Sequence, residues 1–273
     1  MLRYRILTAA ILVPLVVAGV LYASSEALAA AFGLFVVLGG REMARLCGLP
    51  SPAAQWAYAL LLGLLLAALY RWADAALTER LQVLAGLFWL MATLALFNIR
   101  RPLPRVSGLR PAMAALGLAQ LAVAWLSVMD LHAHGARGPA LLLFLLVLIW
   151  TADSAAYFAG RAFGRHKLSP QVSPGKTWEG AAGGLLGALA CSLAFHRLQL
   201  AAVPLPALLG LCLLTAAVSI GGDLWESLLK RQAGLKDSGT LLPGHGGVLD
   251  RIDSLIAAAP VFALGLRLLE GMA

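Results

Sequence analysis

Long apolar stretches separated by short polar breaks run through this 273-residue chain almost from end to end. A helix that crosses a bilayer needs about 20 largely apolar residues, since each adds roughly 1.5 Å against a hydrocarbon core of roughly 30 Å. Nine stretches reach or approach that length, near residues 6–23, 27–46, 55–70, 81–99, 111–131, 139–160, 178–196, 202–222 and 250–269. The third is short, and Pro204 and Pro206 crowd the start of the eighth, so the count carries a tolerance of one. Turn formers fill the breaks, notably Ser169-Pro170, Ser173-Pro174-Gly175 and Pro243-Gly244-His245-Gly246-Gly247. The pattern predicts an all-α, polytopic membrane bundle of about nine transmembrane helices. It forms one domain over 1–273, with N-terminal helices in 1–131 and a chemistry-bearing part in 139–273.

Composition sharpens this. The chain is 61% hydrophobic and only 12% charged, with a mean hydropathy of +0.85, which excludes an ordinary soluble domain. Met1-Leu2-Arg3-Tyr4-Arg5 ahead of the first apolar run has the look of a signal peptide, but the run is near spanning length and further spans follow. An uncleaved first helix is the expectation. Cys47, Cys191 and Cys212 stand alone in apolar surroundings with no CxxC or Cys/His spacing, so they read as packing residues rather than zinc ligands or disulfides.

The net charge of +8 reports membrane orientation and anionic ligands rather than nucleic acid. Of the 21 Lys and Arg, 16 lie at the N-terminus or in the even-numbered gaps between spans, and 5 on the other side. The positive-inside rule then places the N-terminus in the cytoplasm and the C-terminus outside. The loops 161–177 and 231–249 fall on the cytoplasmic face, where nucleotides are. A short, loop-poor chain without organellar targeting suggests the bacterial inner (plasma) membrane.

Candidate chemistry concentrates in the segment Ser227–Asp253, which gathers Lys230, Arg231, Lys236, Asp237, His245, Asp250, Arg251 and Asp253 beside apolar sequence. Asp250 and Asp253, at i and i+3, share a helix face. A carboxylate near a membrane helix costs up to about 2.5–3.5 kcal/mol at the centre and less near the interface, unless paired or metal-bound. The plain reading is a pair of helix N-terminal acids favoured by the dipole. Two acids beside a glycine-rich loop also suit Mg²⁺ with phosphate co-ligands. Asp223, Glu226, Ser227 and Lys230 form a second helical face, within which Glu226 and Lys230 could be a simple i, i+4 ion pair. Asp153, deep after an apolar run, is a functional candidate by default, with a helix–helix hydrogen bond as the plainer alternative.

Ser173-Pro174-Gly175-Lys176-Thr177 invites comparison with a phosphate-binding P-loop, but Pro170 stands where GxxxxGK[ST] needs glycine. What is left has its own logic: Ser173 caps a helix, Pro174 occupies the first turn, and Lys176 adds charge to the positive helix end, a natural phosphate site. Lys176 could equally be a positive-inside anchor. Gly244-His245-Gly246-Gly247 provides backbone that a ligand can approach closely, although a lone His245 more often serves as a loop hydrogen-bonder.

These residues together resemble the phosphatidate cytidylyltransferase (CDP-diacylglycerol synthase) family. Its pattern is met from Ser227 through Lys230, Arg231, Lys236, Asp237, Ser238-Gly239, Leu242-Pro243, His245-Gly246-Gly247 and Asp250-Arg251 to Asp253. Upstream, Asp153-Ser154, Tyr157, Gly160-Arg161, Gly164 and Ser173 to Gly180 are similar too, and more loosely Arg41 to Leu46. The resemblance implies a Mg²⁺-dependent membrane enzyme, all-helical and homodimeric. It joins CTP to phosphatidate, releasing pyrophosphate and CDP-diacylglycerol for phospholipid synthesis. A monovalent cation such as K⁺ beside the Mg²⁺ is a further implication.

On that reading Asp223, Asp250 and Asp253 hold the metal, with Asp153 in or near its shell. Lys176, Lys230, Arg231, Lys236 and Arg251 neutralise substrate phosphates, and Ser173, Thr177, His245, Gly246 and Gly247 line the substrate. Phosphatidate, already ionised near neutral pH, needs no general base. A transporter would place essential charge on both faces, and here the charge clusters on one. The D-G-x2-A-R string of CDP-alcohol phosphotransferases is absent. A cytidylyltransferase for another lipid phosphate stays open.

Overall fold

The computed structural model describes residues 2–97, 99–101, 104–198, 203–241 and 246–271, and the side chains from residue 10 onward. Among these residues nine α-helices follow one another: α1 (Leu2–Tyr22), α2 (Ser25–Leu46), α3 (Pro52–Trp72), α4 (Ala75–Leu96), α5 (Pro111–His132), α6 (Gly138–Phe163), α7 (Trp178–Arg197), α8 (Leu205–Gln232) and α9 (Leu249–Gly271). Eight of them are long and apolar enough to cross a membrane, and α1 adds a shorter apolar stretch over Ala10–Tyr22. The architecture is the all-α polytopic bundle that the apolar pattern predicts.

Helix ends follow local capping chemistry. Ser24, Ser51 and Asp74 accept hydrogen bonds from Ala27 N (3.2 Å), Ala54 N (3.2 Å) and Leu77 N (2.7 Å), satisfying amides that no intrahelical carbonyl can reach. The Ser51 cap starts α3 at Pro52, earlier than the apolar run, so this helix has 21 residues and is not short. Pro204 and Pro206 sit at the cap and first turn of α8, where proline suits a helix.

Burial separates a centre from a periphery. In α5 and α9, 67% of the spanning window is buried, against 22% in α3 and α4. Exposed Leu60, Leu61, Leu64, Leu84, Leu87 and Leu94 give α3 and α4 an outer surface suited to lipid tails. Helix α9 packs against α4, α5 and α8, so it is held from three sides.

Helices α6 and α7 pack backbone to backbone. A methyl group on Gly180 would lie 2.9 Å from the Ala156 carbonyl oxygen, and one on Gly184 would lie 3.0 Å from that of Ala152. Small residues at such spacing let membrane helices approach closely. Between these helices the chain forms a two-stranded antiparallel hairpin, β1 (Lys167–Ser169) and β2 (Ser173–Thr177).

That hairpin corrects one expectation. Ser173 does not cap α7 and Pro174 is not in its first turn, because residues 173–177 are extended. Leu168 and Val172 bury themselves with Leu96, Ile220 and Leu224, and the Ser169 hydroxyl donates to the Leu96 carbonyl at 2.9 Å, which folds the chain back on itself. Thr177 is the cap instead, its hydroxyl accepting from Gly180 N at 3.1 Å. Helix α8 continues about one helix third beyond its apolar run and carries Asp223, Glu226, Ser227 and Lys230 on the helical face that their spacing predicts.

Candidate active site

The C-terminal ends of α6 and α8, the N-terminal ends of α7 and α9, and hairpin β1–β2 enclose a cavity of about 700 Å³, within the range of small-molecule sites. Its charged lining is mixed. Asp153, Asp223, Asp237, Asp250 and Asp253 contribute five acids, and Arg161, Lys176, Lys230 and Arg251 contribute four bases. Ser173 and Thr177 line it as well.

Strand β2 delivers Lys176 to this cavity. Its ammonium lies 2.8 Å from Asp223 Oδ2 and donates to the Ile220 carbonyl at 3.2 Å. Asp223 Oδ1 accepts from the Ser227 hydroxyl one turn on, at 3.3 Å. Helix α9 approaches at the same level: a Cβ on Gly222 would stand 2.5 Å from the Asp253 carbonyl oxygen. The missing side chain is what lets Asp223 and Asp253 occupy neighbouring helices at close range. Asp253 uses Oδ1 to accept from Ser254 N at 2.7 Å.

Lys230 sits between two carboxylates, 2.9 Å from Glu226 Oε2 and 2.6 Å from Asp250 Oδ1. The i, i+4 pair exists, as one half of a buried triad. A buried charge group of this kind persists only with further hydrogen bonds to its free oxygens. Asp250 has them: Oδ2 lies 3.1 Å from Ser238 N, 3.0 Å from Ser238 Oγ and 2.7 Å from Gly247 N. Glu226 Oε1 is buried with no partner among the described residues.

Sequence candidates therefore divide. Asp153, Ser173, Lys176, Thr177, Asp223, Lys230, Asp250, Arg251 and Asp253 come together on one cavity. Arg231 and Lys236 do not line it and are exposed; Arg231 reaches the Val172 and Leu235 carbonyls at 3.4 and 3.5 Å. Gly246 has a left-handed backbone, φ 82°, and Gly247 N is spent on Asp250. His245 lies outside the described residues. The structure gives a place to three residues that the sequence motifs contain without a role: Arg161 and Tyr157 on α6, four residues apart and joined at 3.3 Å, and Asp237, all on the same cavity.

A divalent cation fits these donors by type, because Mg²⁺ takes one or two carboxylates and completes its shell with water and substrate phosphates. Asp223, Asp253 and Asp153, which line the same cavity, would offer it hard oxygen ligands. Among the described residues no group of three His, Cys, Asp or Glu forms a ready-made metal cage, so the remaining ligands would come from a bound substrate.

A membrane-embedded helical bundle with an acid-and-base-lined cavity at one end defines the class. The chain belongs to the cytidylyltransferase family, whose profile matches residues 3–269. It is 43% identical over 265 residues to a phosphatidate cytidylyltransferase of Pseudomonas aeruginosa, covering 96% of both chains. A protein of the same name from Haemophilus influenzae is 37% identical over 291 residues, covering 96% of this chain and 98% of its own. The Thermotoga maritima one is 33% identical over 276 residues, covering 99% and 98%.

Proposed function

We propose that this protein transfers the cytidylyl group of CTP to phosphatidate at the cytoplasmic face of a bacterial inner membrane. A phosphatidate oxygen attacks the α-phosphorus, the α–β phosphoanhydride bond breaks, and pyrophosphate leaves as CDP-diacylglycerol forms. The observation that carries this reading is the mixed cavity lining, five acids with four bases around one space. A site for anions alone would not gather five carboxylates, and a site for a cation alone would not need Arg161, Lys176 and Arg251. Two polyanions meeting on a cation need both.

In this mechanism Asp223 and Asp253 would hold Mg²⁺, with Asp153 nearby on the same cavity. When bound, it would offset the charge of the nucleotide phosphates and of the departing pyrophosphate. Arg161, Lys176 and Arg251 bind and orient phosphates, and Lys230 fixes Asp250 instead of meeting solvent. Tight α6–α7 packing keeps Asp153 facing the cavity, and the lipid tails stay among the helices. The excess of Lys and Arg on one side supports the cytoplasmic placement. K⁺ and a homodimer are carried by the family resemblance; activity in K⁺-free buffer and the mass of the solubilised particle test them.

Purified protein given labelled CTP, Mg²⁺ and phosphatidate in mixed micelles should form labelled CDP-diacylglycerol, and no labelled lipid would refute the reading. Within that assay Lys176→Ala should lower kcat/KM on the order of 10–100-fold, the worth of a charge-assisted phosphate contact. The Mg²⁺ concentration for half-activity should not rise, because Lys176 competes with a cation for Asp223. A raised requirement would instead make Lys176 a support of the metal site.

A further inference from the structure

Helix α9 begins without a cap of its own. The residues before Leu249 are Gly246, Gly247 and Val248, none with a side chain that can accept a hydrogen bond, although the first amides of any helix have no intrahelical carbonyl. The missing acceptor comes from α2. Glu42 Oε1 accepts from Val248 N at 3.1 Å and Oε2 from Leu249 N at 2.8 Å, across more than two hundred residues of sequence. A carboxylate on the positive end of a helix is favoured electrostatically as well.

The same carboxylate reaches the signature loop. The buried Ser238 hydroxyl lies 2.9 Å from Glu42 Oε2 and 3.0 Å from Asp250 Oδ2, so its single proton serves one carboxylate at a time. Glycine is required around this knot. A Cβ on Gly239 would overlap Glu42 Oε1, and one on Gly247 would overlap both Glu42 Oε2 and the Ser238 hydroxyl. Gly239 and Gly247 are therefore spaces cut for the Glu42 carboxylate.

We propose that Glu42 is a positioning residue for the reaction: it caps α9 from α2 and, through Ser238, sets the place of Asp250 and the register of Asp253. The inference rests on the cytidylyl transfer proposed above. It makes one of the N-terminal helices part of the working end, and it assigns the amides of Val248 and Leu249 to the protein rather than to substrate phosphate. Glutamine in place of Glu42 keeps the size but turns one acceptor into an NH₂ donor facing the helix amides.

The test uses the full chain with Glu42→Gln, Glu42→Asp and Ser238→Ala. With Glu42→Gln, kcat should fall on the order of 10–100-fold, the usual cost of losing a group that orients a ligand-bearing residue, with KM for CTP nearly unchanged. Glu42→Asp, which keeps the charge, should recover part of the rate. Amide exchange of the peptide containing Val248 and Leu249 should speed up in Glu42→Gln without any substrate present. If Glu42→Gln does not fold, Ser238→Ala, which cuts only the shared hydroxyl, is read by the same kcat loss and by faster exchange of the backbone amides at positions 238 and 247. Unchanged kcat, a change confined to KM, or unchanged exchange overturns the proposal. An inactive wild-type protein would sink the cytidylyl-transfer reading instead, and the exchange measurement would still decide whether Glu42 caps α9.

Discussion

Asp253→Asn should abolish cytidylyl transfer, by at least on the order of 10³-fold, while the protein melts close to the wild-type temperature. The asymmetry of the two Asp253 oxygens separates the effects. Oδ1 accepts from Ser254 N at 2.7 Å, a bond that the asparagine carbonyl can keep, so local structure survives. The other position loses its negative charge and gains a donor, which repels a cation. The carboxylate stands beside Asp223 because α8 and α9 touch at Gly222, and among the described residues no group of three acids forms a ready-made cage. Initial rates of CDP-diacylglycerol formation across a Mg²⁺ titration, set beside a thermal melt, decide the matter. A rate near wild type at the same Mg²⁺ removes Asp253 from the metal site.

Asp250 provides an instructive contrast, since it lies one helical turn away on the same face. Its oxygens already meet Lys230, Ser238 N, Ser238 Oγ and Gly247 N. Asparagine cannot satisfy that set: its NH₂ must face either the ammonium of Lys230 or the amides of Ser238 and Gly247. Asp250→Asn should therefore also lose activity, but with a lower melting temperature, because buried donors are left unpaired. The two aspartates thus separate by stability, not by rate.

How far the sequence disclosed this arrangement depended on the range of the interaction. Spans were legible because a bilayer demands long apolar runs, and α5, α6, α7 and α9 start and stop within a few residues of them. Asp250 and Asp253 were legible because three residues of helix bring two side chains to one face. The far part of α8 was legible as a helical face but not as a continuation of the preceding span, since Asp223, Glu226 and Lys230 lower hydropathy while the backbone continues its hydrogen bonds. Hairpin β1–β2 was hidden for another reason: Ser173 followed by Pro174 has the chemistry of a helix start, and only burial of Leu168 and Val172 against α4 and α8 makes it a strand. Glu42 was invisible as a cap, because its partners are amides, which carry no residue identity.

Gly222→Ala carries the second large expectation, and it concerns shape rather than charge. The added methyl would lie 2.5 Å from the Asp253 carbonyl oxygen and 2.8 Å from Ala257 Cβ. The first neighbour is backbone within a helix, so it cannot rotate away, and α8 must shift from α9. A displacement of about 1 Å in a phosphoryl-transfer site costs on the order of 10²-fold in rate, and overpacking typically costs about 1–3 kcal/mol of stability. Gly210→Ala on the same helix is the control, because nothing lies within 4 Å of its Cβ and alanine is the better helix former by about 1 kcal/mol. The control should leave rate and melting temperature unchanged or improved, whereas Gly222→Ala should lower both. Equal behaviour of the two variants would mean that the α8–α9 contact does not set the separation of Asp223 and Asp253, and the shared cation site would lose its geometric support.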